Sequence, residues 1–407
     1  MELKNVKAEM SQSRWSGRGR LDDLVTELKR QASARHDFCV DARAIRVAKS
    51  ANYHSFFGDN TPYILIPVDS SASDYMPMDG FPLKKEALFQ LARSVNPSIP
   101  TKFIEGLTTE CPSTAINLMN DILHKNANCH FIRVLDNEVR AFLSDKYRVI
   151  DHYGIAMACL ETAQKAGGDI VECTLTDRKM RIKFTSKAVY DELNLKRTGN
   201  KGSWYAGGLG NQEWLSKVHA KSYGDMPGGP GTVHPLITIS NSETGFGGFN
   251  VRFGILMAIC YNLATVEQVA QNIHLGARIE LGVYSAETVT AESKSILLKA
   301  ADAVRAAFNE VTFRRICNKL KDAQDRVIEE PTDAVENVVN VCKFSDEDEK
   351  KILEYFLRDY DCTVFGLGQS VARRAQDIEN ADKAAQYEQI AGNIMTGMNY
   401  QKQLVEV

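Results

Sequence analysis

Within residues 178–187, Arg-Lys-Met-Arg-Ile-Lys-Phe-Thr-Ser-Lys, polar and hydrophobic positions alternate from Lys179 to Thr185: Lys179, Arg181 and Lys183 fall on one side, Met180, Ile182 and Phe184 on the other. Successive side chains of a strand point to opposite faces. The pattern therefore predicts a strand with an apolar face on a core and a cationic face in solvent, its three cations roughly 6.6 Å apart. Neighbouring segments supply its companions. His130–Leu135 and Glu138–Leu143 flank Asp136-Asn137, a two-residue connection that closes a hairpin. Ile170–Thr176 pairs with Lys179–Thr185, and Leu236–Ser240 with Gly248–Phe253. Tyr153–Ala166 reads as a helix stopped by Gly167-Gly168. The order hairpin, helix, hairpin, Gly-rich insertion, hairpin has no βαβ alternation. It predicts an α+β fold, an antiparallel sheet of hairpins crossed by helices.

A helical period governs the rest. Leu297, Ala300, Val304, Ala307/Phe308 and Val311 predict one long helix from about Ala286 to Asp325. Helices follow Pro331 and Ser345, the latter an N-cap with Asp346, Glu347 and Asp348 in the first turn, and a last helix covers about Ser370–Met395. Shorter helices are expected over Leu21–Gln31, Leu83–Ser94 and Ser113–Lys125. Four zones result: a flexible basic arm and short helix (1–35), a mixed Pro-punctuated region (36–125), a β-rich core with a Gly-rich insertion at 195–234 (126–285), and a C-terminal helical region (286–407).

Composition narrows the class. The 407 residues are 44% hydrophobic and 25% charged at net charge −3, which suits a folded globular chain with enough apolar content for a core. Nine cysteines, scattered and never spaced Cys-x-x-Cys, read as buried thiols of a reducing compartment. The first residues lack an apolar signal core, and the apolar run from Gly254 is too short to span a bilayer, so a cytoplasmic, non-membrane protein is expected.

The positive charge is local. Residues 178–201 hold eight cations against Asp191 and Glu192, and Trp204 and Tyr205 follow at once in a Gly-rich segment. Cations that track phosphates beside aromatic faces that stack bases are the requirements of single-stranded nucleic-acid binding. The candidate phosphate contacts are Arg133, Arg140, Lys146, Arg148, Lys179, Arg181, Lys183, Lys196, Arg197, Lys201 and Arg252, with Trp204 and Tyr205 as stacking platforms. Gly-x-x-x-x-Gly-Lys-Ser/Thr is absent, and no His, Cys or carboxylate group has a familiar zinc spacing; no cofactor, metal or catalytic residue is assigned. Two alternatives stay open. Asp169, Asp177 and Lys179 follow the acidic, acidic-x-Lys order of a metal-dependent nuclease, and the helical zone also suits a structural or host-interaction protein. Ile296, Leu297, Phe308, Phe313 and Ile316, spread over more than one helix face, predict a homo-oligomer.

Three segments carry a resemblance. Arg140-Ala-Phe-Leu-Ser-Asp-Lys-Tyr-Arg-Val-Ile-Asp151, Ile239-Ser-Asn-Ser-Glu-Thr-Gly245 leading to Ile259-Cys-Tyr-Asn262, and Phe365-Gly-Leu-Gly followed by Ala375-Gln and Tyr387-Glu-Gln-Ile-Ala-Gly392 resemble the phage/plasmid-like proteins of unknown function. The likeness covers about 140–392 and departs at Glu243-Thr244 and Met257. It implies mobile-element DNA metabolism. The hairpin-and-helix order is also similar to the core of RecT/Redβ-type single-strand annealing proteins, which implies ATP-independent annealing of single-stranded DNA by a ring or filament.

Overall fold

The computed structural model describes residues 17–49, 62–65, 80–95, 100–125, 128–145, 147, 150–193, 232–257, 263–268 and 286–397. The N-terminal part comprises β1 (Gly17–Gly19), α1 (Leu21–Ala34), β2 (Arg35–Asp41), β3 (Arg46–Lys49), β4 (Pro62–Leu65), β5 (Phe81–Pro82), α2 (Lys85–Val95), α3 (Thr101–Glu110) and α4 (Pro112–Lys125). The β-rich part comprises β6 (Cys129–Leu135), β7 (Glu138–Ser144), α5 (His152–Lys165), β8 (Asp169–Leu175), β9 (Met180–Thr185), β10 (Asp191–Glu192), β11 (Thr232–Asn241), β12 (Asn250–Met257) and β13 (Leu263–Gln268). The C-terminal helices are α6 (Ala286–Ala307), α7 (Glu310–Asp325), α8 (Pro331–Cys342), α9 (Asp346–Asp359), α10 (Val364–Asp377) and α11 (Ala381–Thr396). The fold is α+β with antiparallel sheets and a C-terminal helical region, as the hydrophobic pattern predicts.

All three predicted hairpins form. At the first, Asp136 and Asn137 both take positive φ (53° and 59°), the backbone that a two-residue turn between twisted strands requires. The largest sheet runs β1-β8-β9-β11-β12-β13, with β10 also on β11. Its registers align Cys173, Ile182, Ile239 and Val251 in one row and Phe184, Ile237 and Phe253 in the next. These rows are buried in the main core with Ile155 and Ala156 of α5 and Ala300 and Val304 of α6. A smaller sheet, β2-β6-β7, covers a second core with α2 and α4 through Ile132, Val134, Val139, Leu88 and Met119.

Several expectations change. Residues 17–19 of the basic arm form an edge strand, Gly17 opposite Leu175 and Gly19 opposite Cys173. Strand β2 pairs with β6, and the main core runs from Leu24 to Met395, so strand pairing and packing cross the four zones. The single long helix is two: Asn309 Oδ1 accepts from Val311 N (2.8 Å) and starts α7, while Phe308 turns onto Gly168, where a Cβ would lie 2.6 Å from its ring. The last helix is likewise two, because Asn380 Oδ1 accepts from the N–H groups of Asp382 and Lys383 and starts α11. The short helix α3 was not foreseen. Cys39, Cys111 and Cys129 are exposed rather than buried, whereas burial pushes the Cys159, Cys173 and Cys317 thiols up to about 12.

Helix α11 is held by its apolar face. Tyr387, Ile390, Ile394 and Met395 are buried, each stabilising by about 1.5–3 kcal/mol, whereas ion pairs taken from water contribute little net. Its seat against α10 needs glycine, since a Cβ on Gly368 would lie 2.3 Å from Met395 Cγ. Asp348 fixes the orientation. Its buried carboxylate accepts from Ser345 Oγ (2.6 Å), Tyr387 Oη (2.8 Å), Arg374 Nε (2.8 Å) and Lys383 Nζ (3.1 Å), tying α9, α10 and α11 together.

Candidate anion-binding cleft

The alternation of β9 holds: Met180, Ile182 and Phe184 are buried in the main core. The opposite face is not open to solvent, and here the expectation is corrected. Helix α11 lies over it, because its polar stripe Asp382, Gln386 and Gln389, at helical spacing, must face away from its apolar side. Arg181 Nη2 donates to Asp382 Oδ1 (2.6 Å). Lys183, 3% exposed, donates to Glu172 Oε1 (3.0 Å) and to both Glu388 oxygens (2.8 and 2.9 Å). Such a doubly paired lysine is not free to meet a nucleic-acid backbone.

The neighbouring strands extend this face. Lys183 stands opposite Thr238, Thr238 opposite Arg252, and Arg181 opposite Ser240. Together they line a cavity of about 160 Å³ between the sheet and α11. Arg252 Nη1 donates to Gln389 Oε1, a neutral partner. Lys179, half-buried, reaches the same cavity and packs beside Gly247, whose φ of +136° lets the loop pass close to it. That loop is tied down: Ser242 Oγ donates to Arg178 O (2.7 Å) and Thr244 Oγ1 to Asp177 O (3.1 Å). Burial, then the charge of Arg181, lowers the Lys179 ammonium below its usual range, and the same two causes lower Arg252. Arg181 Nη1 is buried with no hydrogen-bond partner.

Arg133 and Arg140 belong elsewhere, and their assignment as phosphate contacts is corrected. They are 1% and 3% exposed, in a seam between the small sheet and the loop after β11. Arg133 donates to Asp37 (3.1 and 3.0 Å) and Asp151 (3.0 Å), and its Nη1 lies 3.2 Å from Glu243 Oε2, with Arg140 Nη1 at 3.5 Å from the same oxygen. Burial opposes the charge of Glu243, but the fields of His152, Arg133 and Arg140 and the His152 backbone N–H bring its carboxyl down to about 2. Burial drives His152 down to about 4, and Asn241 Nδ2 lies 3.0 Å from its Nδ1.

Lys146, Arg148, Lys196, Arg197, Lys201, Trp204 and Tyr205 lie outside the described residues. Asp169 and Asp177 sit at opposite ends of the β8–β9 hairpin, and Asp177 is paired with Lys84 (3.0 Å), so the nuclease triad is not brought together. Among the described residues no group of three His, Cys, Asp or Glu side chains is placed to hold a metal ion, and no helix is long and apolar enough to cross a membrane. Sequence reasoning missed Asp382, Glu388 and Glu243. The signal for the first was an acid and two glutamines, Asp382, Gln386 and Gln389, at helical spacing on one side of α11; Glu243 had none beyond its place in a resembling segment. Compared with family models, curated proteins and solved structures, the chain matches none.

Proposed function

We propose that this chain binds single-stranded DNA without cleaving it and anneals complementary strands without ATP, in the DNA metabolism of a phage, prophage or plasmid. One observation carries the binding step. Lys179, Arg181, Lys183 and Arg252, from two strands of one sheet, gather on one cleft in a chain whose net charge is −3. Phosphates would meet Lys179 and Arg252, the half-buried members without a carboxylate hydrogen bond, while Arg181 and Lys183 set the local potential. Lys196, Arg197, Lys201, Trp204 and Tyr205, outside the described residues, belong to the same proposal on their charge and ring chemistry. The origin and the annealing step rest on the resembling segments and the hairpin order.

The subunit contact takes a revised form. Ile296, Phe313 and Ile316 are spent on the chain's own core, so a homo-oligomer would use other surface, such as exposed Leu298 and Val311. Fluorescence anisotropy with a labelled oligonucleotide across a salt series tests binding. Affinity should fall steeply as salt rises. Absence of binding at low salt ends this reading, and a monomer mass by light scattering, with and without oligonucleotide, removes the oligomer.

A further inference from the structure

The cleft under α11 has two unlike ends. At one, Lys183 is paired with both Glu172 and Glu388. At the other, among the described residues, Lys179, Arg181 and Arg252 face one carboxylate, that of Asp382. A local surplus of two positive charges, half or more removed from water, is costly unless something negative joins it. Arg181 Nη1 lacks a hydrogen-bond partner, as Arg133 Nη1 does in the seam, but here it belongs to a residue lining a cavity, and burial, then the charge of Arg181, disfavours the charged forms of Lys179 and Arg252.

We propose that this end of the cleft is a binding site for one phosphomonoester dianion, held by Lys179, Arg181 and Arg252. Two guanidiniums and an ammonium match tetrahedral oxyanion oxygens in charge and donor geometry, and the Thr238 and Ser240 hydroxyls line the floor. Size sets the class. The cavity of about 160 Å³ is roomy enough for a phosphate group and the start of what carries it, and is smaller than the ~300 Å³ at which pockets for whole ligands begin. A base and sugar would then extend out of the cleft. The proposal rests on the same cationic cleft as the nucleic-acid reading, and it narrows what enters to a phosphorylated end, of a strand or of a small ester.

The test uses the full chain and inorganic phosphate, titrated by calorimetry against chloride at constant ionic strength. Saturable binding is expected, weakened about tenfold or more by Arg252→Gln, since one charge-assisted contact is lost. Asp382→Asn, which frees Arg181 from its competitor, should tighten it severalfold. Lys165→Gln, on the exposed ion pair with Glu161, should change nothing. Phosphate that binds no better than chloride, or equally well to a folded Arg252→Gln chain, overturns the site. If Arg252→Gln does not fold, Asp382→Asn decides, and a failure to tighten overturns it. Oligonucleotides with a 5′-phosphate or a 5′-hydroxyl separate the sources: preference for the former assigns a strand end, and phosphate binding without preference assigns a small ester. Binding of the hydroxyl strand with no phosphate binding removes this proposal and leaves the nucleic-acid reading, whereas phosphate binding without strand binding does the reverse.

Discussion

The seam around Glu243 and the cleft under α11 both bury arginine or lysine beside carboxylates, yet they differ in balance. In the seam, Arg35, Arg133 and Arg140 face Asp37, Asp151 and Glu243, three against three. In the cleft, four cations face Glu172, Asp382 and Glu388, with a cavity between. Buried charge that is matched internally joins elements; buried charge with a surplus beside a cavity can be met by a ligand, as proposed for the cleft. Sequence position does not distinguish the two, because both are built from basic residues on alternating strands.

The largest effect should come from unbalancing the seam. Glu243→Gln leaves two guanidiniums in the interior facing a neutral amide, and loss of one partner of a buried pair costs about 3–5 kcal/mol. Urea unfolding should show that loss, and a variant within about 0.5 kcal/mol of wild type, the range of ordinary surface changes, would show that Glu243 does not balance the seam. The corresponding change in the cleft, Asp382→Asn, should cost less, since the Asp382 side chain is 29% exposed against 7% for Glu243.

Acid should also separate the two regions. His152 is neutral in the fold, held down to about 4 by burial, and takes a proton near 6.5 once unfolded. The unfolded chain therefore binds more protons between those values, so stability falls as pH drops from about 6.5 to about 4, by on the order of 3 kcal/mol, and this contribution falls no further below. Glu243 adds a second loss between its ordinary value of 4.5 and about 2. Unfolding free energies measured from pH 7 to 4 should lose part of their slope in His152→Gln. An unchanged slope would place the titrating group elsewhere.

Packing gives the next effect. Gly368→Ala drives a methyl onto Met395 and the Ala391 carbonyl and should cost about 1–3 kcal/mol as α10 and α11 separate. Its thermal midpoint should fall, and phosphate affinity should fall with it, because α11 is the wall of the cleft. A lowered midpoint with intact affinity would make the cleft independent of the helix seat.

Local patterns made much of this legible. The period of two located β6 to β9, β11 and β12, and Asp136-Asn137 marked a turn whose φ values the structure bears out. Ser345 and Pro331 located their helices because capping and the proline constraint act within one turn. What failed was set at long range. Nothing near Lys183 in the chain says that Glu388 will lie on it, and nothing near Arg133 announces Glu243. A cationic strand face looks the same in sequence whether water, a helix or a ligand covers it. The breaks at Asn309 and Asn380 were readable as caps, but continuous apolar spacing on both sides concealed them.

The smallest change in stability, and the sharpest reading of the comparison, belongs to Lys179 and Arg252. Neither hydrogen-bonds to a carboxylate, and both lie in the field of Arg181. Replacing both with Gln removes repulsion along with charge, so stability should hold or rise rather than fall. Binding should respond. If each cation neutralises one phosphate, the log–log salt dependence of single-strand affinity should flatten by about 1.4, at roughly 0.7 per lost contact. Lys183→Gln should give the opposite profile, a clear loss of stability because Glu172 and Glu388 are left facing an amide, with the slope nearly unchanged. If Lys179 and Arg252 behave like Lys183, the cleft is a second balanced seam and its surplus charge is not available to any ligand.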